Sequence, residues 1–106
     1  MGRWVYVEDK KNTSVSELRK IHTKLITASM KSKIDVKIEF SVNQKELDKP
    51  CVYITFFNSD KNFSIDFYTF DSHERNNKKL ELALNLIKDS SKFQKTREQY
   101  EEMRFN

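Results

Sequence analysis

Apolar and polar residues alternate without interruption over nine positions, Ile34-Asp35-Val36-Lys37-Ile38-Glu39-Phe40-Ser41-Val42. Successive side chains of a strand point to opposite faces, so this pattern predicts a β-strand with one buried and one exposed face. Two more apolar-rich segments follow, Cys51 to Phe57 and Phe63 to Phe70, and the polar run 58–62 between them is typical of a hairpin turn. Strands joined by such short loops predict an antiparallel meander.

Helical patterns flank these strands. The run Ser14-Val15-Ser16-Glu17 has the spacing of a capping box, and apolar residues recur behind it at steps of three and four to about Lys31. A second helical pattern begins between residues 71 and 77. The polar run Asp89-Ser90-Ser91 either ends that helix or forms a turn within it, and residues 90–106 are predicted to form a C-terminal helical extension.

A further strand is predicted ahead of the first helix, because Trp4-Val5-Tyr6-Val7 is short, aromatic and β-branched. The predicted order is therefore β-α-β-β-β-α, in a single domain spanning residues 1–106, which is the usual size of one domain. We expect an α+β fold. Its form would be a two-layer sandwich, with a mainly antiparallel four-stranded sheet that carries the helices on one face.

Composition excludes several classes of protein. No apolar run approaches the roughly 20 residues of a membrane span, and the first residues lack the apolar stretch of a signal peptide. The single cysteine, Cys51, permits no internal disulfide, which fits a reducing compartment. These features predict a cytoplasmic protein with no membrane partner.

Residues suited to catalysis are few. Asp71, His73 and Glu74 lie close together and could bind a metal or transfer a proton, although three polar residues in a solvated loop are the ordinary interpretation. Cys51 has no cationic neighbour in sequence to lower its pKa. With one glycine in the chain, a phosphate-binding glycine loop is excluded. We therefore expect no enzyme, no metal and no cofactor.

The charge is unevenly distributed. The net charge is +4, but residues 10–37 hold eight cations and two carboxylates, whereas residues 38–74 hold three cations and seven carboxylates. On the first helix, one stripe opposite the apolar face contains Lys20, Lys24, Thr27 and Lys31, and such a stripe can follow a phosphate backbone. A second cationic group, Arg75-Asn76-Asn77-Lys78-Lys79, lies where free N–H groups at a helix start favour anions. The six predicted nucleic-acid contacts are Lys20, Lys24, Lys31, Arg75, Lys78 and Lys79.

The outer face of the sheet is a competing site. If Val52, Ile54 and Phe56 face the helices, the opposite face is rich in aromatic side chains, with predicted interface residues Tyr53, Phe57, Tyr68 and Phe70. Carboxylates share this face and would repel phosphates. It therefore favours a protein partner or a homodimer, unless the C-terminal segment covers it.

From Ser14 to about Asp89, the predicted order α-β-β-β-α resembles a double-stranded-RNA-binding domain. The resemblance implies that the first helix contacts a minor groove through Lys20, Lys24 and Lys31. It also implies that Lys78-Lys79 stands where that family places phosphate-contacting lysines at the start of its second helix. The sequence departs from the family after this pair, where Leu80-Glu81-Leu82 replaces an alanine and a further lysine.

Two functions follow as predictions. The first is a non-catalytic nucleic-acid-binding protein, with RNA favoured over DNA. The alternative is a small inhibitor or adaptor that binds a host protein through the sheet face or the C-terminal helix. Residues encoded by AT-rich codons far outnumber those encoded by GC-rich codons, as in many phage and mobile-element genes, and genes of this size often encode such inhibitors.

Overall fold

The structure, a computed structural model, describes residues 12–41 and 50–104. These residues form three helices and three strands, with a short 3-10 turn before the last helix. In chain order the elements are α1 (Val15–Met30), β1 (Asp35–Ser41), β2 (Cys51–Asn58), β3 (Lys61–Tyr68), α2 (His73–Lys88), the 3-10 turn Ser90–Lys92 and α3 (Phe93–Arg104).

The fold is α+β, but the predicted four-stranded sheet and the order β-α-β-β-β-α are wrong. The described residues form a three-stranded antiparallel sheet in the order β1-β2-β3, and they contain three helices. The fourth strand, predicted at Trp4-Val5-Tyr6-Val7, lies outside the described residues. The polar run after α2 is a true break, because Asp89 accepts from the backbone of Ser91 and begins the 3-10 turn that leads into α3.

The core lies between the sheet and the helices. The register pairs Ile38 with Ile54 and Ile54 with Ile65, so the apolar positions of all three strands share one face. Leu18 and Leu25 of α1 and Leu86 of α2 are fully buried against that face. Because alternation in the strands matches the helical stripes, one continuous cluster holds the two layers together.

Capping residues fix where the helices begin. The Ser14 hydroxyl accepts from the N–H of Glu17, whose carboxylate accepts in return from the Ser14 N–H, so the predicted capping box is present. Ser72 caps α2 by accepting from the N–H of Arg75. Each cap satisfies backbone donors that no helical carbonyl can reach, which sets the start of the helix.

α1 and α2 run parallel on the sheet. Their starts meet where His73 contacts the carboxylate of Glu17, and their ends meet where the Ser32 hydroxyl donates to the carbonyl of Ile87 at 2.8 Å. One cleft lies between the two helices near their starts and another lies at their ends, and we call the two clefts together the interhelical groove.

α3 packs beside α2 at the β3 edge of the sheet. The rings of Phe93 and Tyr100 contact Phe63 of β3, at centroid distances of 5.1 and 6.4 Å. The Tyr100 hydroxyl accepts from the N–H of Asp66 at 3.2 Å. The described part of the C-terminal segment thus covers the edge of β3 and not the outer face of the sheet.

Candidate nucleic-acid interface

The interhelical groove collects several of the predicted cations. At its start, Lys20 and Lys24 line a cleft of about 160 Å³ between α1 and α2, together with His73 and Asn77. These lysines are four residues apart on α1, so they lie one turn apart on the side of the helix that faces α2. Both are exposed.

The far end of the groove holds Lys31 and two cations that were not predicted. Lys31, Lys33 and Lys88 line a second cleft, of about 570 Å³, beneath the ends of both helices. Lys33 lies two residues after Lys31, and Lys88 is the last residue of α2. These lysines come together because α1 packs against α2, and not because they are close in the sequence. We call the surface formed by Lys20, Lys24, Lys31, Lys33 and Lys88 the basic groove.

The charges of the basic groove are not neutralised locally. Within residues 12–41 and 50–104, none of these five lysines forms an ion pair with a carboxylate. The acidic residue that lines the groove is Glu17. Hydrogen bonds from the Ser14 backbone and hydroxyl, with His73 nearby, hold the pKa of Glu17 below its usual value. Its carboxylate is thus already satisfied by groups other than the lysines.

Arg75 and Lys78 lie on the opposite side of α2, away from the basic groove. The Arg75 guanidinium donates to the carbonyl of Met103 at 2.7 Å and lies 3.8 Å from a carboxylate oxygen of Asp71. Arg75 therefore fastens the end of α3 to α2. Lys78 is exposed beside it, in a cleft that Met103 also lines.

Lys79 is not on the surface, although it was predicted to contact nucleic acid. It is 4% exposed, and its ammonium donates to the carbonyl of Asp66 and to a carboxylate oxygen of Asp71, both at 2.7 Å. An ammonium held by two acceptors in the interior cannot reach a phosphate. We therefore remove Lys79 from the predicted interface, and with it the lysine pair on which the family resemblance partly rests.

The predicted aromatic residues are only partly brought together. Tyr53, Phe57 and Tyr68 share the outer face of the sheet and are half-buried. Phe70 lies just beyond β3, 55% exposed, and stacks on Tyr68 with a centroid distance of 4.6 Å and an interplanar angle of 16°. Phe57 lies at the other end of β2, opposite Asn62, so the four residues do not form one cluster.

The outer face is acidic. On the described strands, this face carries the carboxylates of Asp35, Glu39 and Asp66 and one cation, Lys37. Burial and then the nearby Asp66 carboxylate raise the pKa of Tyr68 to about 12. In the described residues, the outer face of the sheet is therefore net negative, whereas the basic groove on the helical side is net positive.

Two of the residues considered for catalysis, Asp71 and His73, contact different partners. The Asp71 carboxylate pairs with the ammonium of Lys79, whereas His73 contacts the carboxylate of Glu17 across the groove. Burial, together with the carboxylates of Asp66 and Glu39, raises the pKa of the Cys51 thiol, which keeps it in its weakly nucleophilic form. In the part of the chain that the structure describes, no cluster of His, Cys, Asp and Glu could hold a metal ion.

No protein-family model, no curated protein and no solved structure matches this chain. In residues 12–41 and 50–104, none of the helices combines the length and the apolar content that crossing a membrane requires.

Proposed function

We propose that this chain is a non-catalytic nucleic-acid-binding protein, with RNA as its ligand, and that the basic groove contacts the phosphates. The observation that carries the proposal is the set of five exposed lysines without ion-pair partners in the described residues. From Lys20 to Lys31 the helix rises by about 16 Å, which spans several phosphates of a nucleic-acid strand.

The placement of positive and negative charge on opposite sides of the sheet also supports the basic groove as the phosphate-binding surface. The basic groove lies on the helical side, and the acidic outer face lies on the other side of the sheet. Such a field orients a polyanion towards the helices and increases its rate of association. Each lysine that neutralises a phosphate releases a bound counterion, so binding by this surface must weaken as salt rises.

We propose RNA and not DNA as the ligand because of the order of the helices and strands. The described elements α1-β1-β2-β3-α2 follow the order of the double-stranded-RNA-binding domain, in which helices on one face of a three-stranded sheet contact duplex RNA. With Lys79 buried, this preference rests on layout and not on a shared motif.

The test compares two triple variants that lose the same charge. The first replaces Lys20, Lys24 and Lys31 by glutamine, and the control replaces Lys61, Lys92 and Lys95, which are also exposed but lie away from the groove. Fluorescence anisotropy with labelled duplex RNA, single-stranded RNA and duplex DNA should show at least about tenfold weaker RNA binding for the first variant only. Equal affinities for the two variants would contradict the groove, and tighter binding of DNA would contradict RNA as the ligand.

A second candidate is the inhibitor or adaptor that binds a host protein. The exposed ring of Phe70, stacked on Tyr68, favours it, because aromatic side chains are enriched at protein interfaces. A photo-crosslinking amino acid at position 70 should then give one defined protein adduct in cells. The same amino acid at exposed position 95 should not give that adduct, and identical adduct patterns would contradict this candidate.

A further inference from the structure

The two edges of the sheet differ in the hydrogen-bond partners of their backbone groups. On β3, the N–H and C=O of Asp66 point away from β2 and are bound by Tyr100 and Lys79, so this edge is covered at Asp66. On β1, no strand within the described residues pairs with the outer edge. An open edge presents unpaired backbone donors and acceptors, which are a template for another strand.

Alternation along the strands identifies the groups on the open edge. Since the backbone groups of Asp66 point away from β2, those of its partner Tyr53 point towards β1, and those of Glu39, which pairs with Tyr53, point back towards β2. Because the direction alternates along a strand, the neighbouring alternate residues of β1 direct their N–H and C=O outward: Val36, Ile38 and Phe40. Their side chains face the core, so a strand added here must also present its apolar side to the helices.

β1 is complementary to a second copy of itself. In an antiparallel pair centred on Ile38, all seven residues find partners, Val36 lies opposite Phe40, and each Lys37 lies opposite Glu39 of the other copy. A centre at Lys37 would instead pair lysine with lysine and Asp35 with Glu39. A centre at Glu39 would pair glutamate with glutamate. Of these three registers, which all keep the apolar side inward, the one centred on Ile38 pairs the whole strand and places no like charges opposite each other.

α1 presents apolar side chains next to this edge. The His22 ring packs on Phe40 of β1 at a centroid distance of 5.7 Å, which marks the side of the helix that faces the edge. Ile26 and Met30 follow His22 at successive steps of four residues, so they lie on the same side. They are 37% and 80% exposed, which is unusual for large apolar residues on a helix that packs on a core.

We propose that two copies of this chain associate through β1, in antiparallel register centred on Ile38, to form one continuous six-stranded sheet. α1 packs over β1 and β2, so the two copies of α1 lie about 10 Å apart across the two-fold axis, the ordinary distance between packed helices. Ile26 and Met30 are then buried between them. Lys20 and Lys24 face α2 on the other side of α1, so both basic grooves stay open.

The test is charge complementation at the two-fold axis. Lys37→Glu places carboxylates opposite one another in a homodimer, and Glu39→Lys does the same with ammonium groups. Sedimentation velocity over a range of concentrations should show a dimer for the wild type and self-association at least about tenfold weaker for each single variant. An equimolar mixture of the two variants should recover the dimer, because each introduced charge then faces its opposite.

Two controls separate this interface from other effects. The double variant Lys37→Glu with Glu39→Lys keeps the net charge and the intrachain Lys37–Glu39 pair at 4.0 Å in reversed form, and it should dimerise like the wild type. Met30→Lys should weaken the dimer, while Phe70→Lys, at a large exposed apolar residue beyond β3, should not. Circular dichroism confirms that each variant is folded. A monomeric wild type, or a mixture that stays monomeric, overturns the proposal.

Discussion

The ammonium of Lys79 donates a 2.7 Å hydrogen bond to the backbone carbonyl of Asp66, on the edge of β3 that faces away from β2. The same nitrogen pairs with the carboxylate of Asp71, which follows the end of β3. One buried lysine on α2 therefore closes the sheet edge and fixes the connection from β3 to α2. Its aliphatic stem can lie along apolar surface, while its charge is met by fixed acceptors.

Lys79→Met is expected to destabilise the fold by about 3 kcal/mol, because it leaves the half-buried Asp71 carboxylate and the Asp66 carbonyl without this partner. The loss is measured as the free energy of unfolding in urea. Lys78→Met is the matched control, since Lys78 is exposed and forms no ion pair in the described residues. Equal stabilities of the two variants would contradict the buried role of Lys79.

Tyr100→Phe is expected to lower the free energy of unfolding by about 1 kcal/mol. The substitution keeps the ring packed on Phe63 but removes the hydroxyl that accepts from the N–H of Asp66. Hydrogen exchange should show the Asp66 amide less protected in this variant. Unchanged protection would mean that α3 does not dock on the β3 edge of its own chain.

Tyr68 should make stability depend on alkaline pH. The pKa of Tyr68 is raised from 10.0 in the unfolded chain to about 12 in the fold, chiefly by burial and then by Asp66. Between these values the unfolded state has released the proton and the folded state has not. The contribution of Tyr68 to the free energy of unfolding is therefore fully present below pH 10 and is lost as the pH rises towards 12.

The measurement is the free energy of unfolding across this pH range for the wild type and for Tyr68→Phe. Tyr100, whose pKa burial also raises, contributes in the same direction, so the variant should show a shallower decline and not a flat profile. Spectrophotometric titration should lose a tyrosine transition near pH 12 in the variant. Superimposable profiles would rule out a buried, high-pKa Tyr68.

Much of the fold could be predicted from sequence because its signals are local. Alternation in residues 34–42 placed β1, and the spacing from Ser14 to Glu17 placed the start of α1. The four-stranded sheet was wrong, since the described residues form three strands, and the fourth strand was predicted from a four-residue segment that lies outside them.

The site was harder to predict, since its surface forms only when α1 and α2 pack. Lys33 and Lys88 lie far apart in sequence and meet at the ends of two parallel helices. Lys79 was misplaced because the cationic run 75–79 was treated as one surface. Steps of one and four residues link Lys79 to Leu80 and Ala83 on the buried stripe of α2, and that spacing was the available signal.

The most direct test of the basic groove is the salt dependence of RNA affinity. If five lysines contact phosphates, the logarithm of the association constant should fall against the logarithm of the salt concentration with a slope of about −4. Replacing Lys20, Lys24 and Lys31 by glutamine should make that slope shallower by about 2, while the control at Lys61, Lys92 and Lys95 should keep it. Measurable binding whose slope is the same in all three proteins would contradict the account, as would no binding of the wild type at low salt.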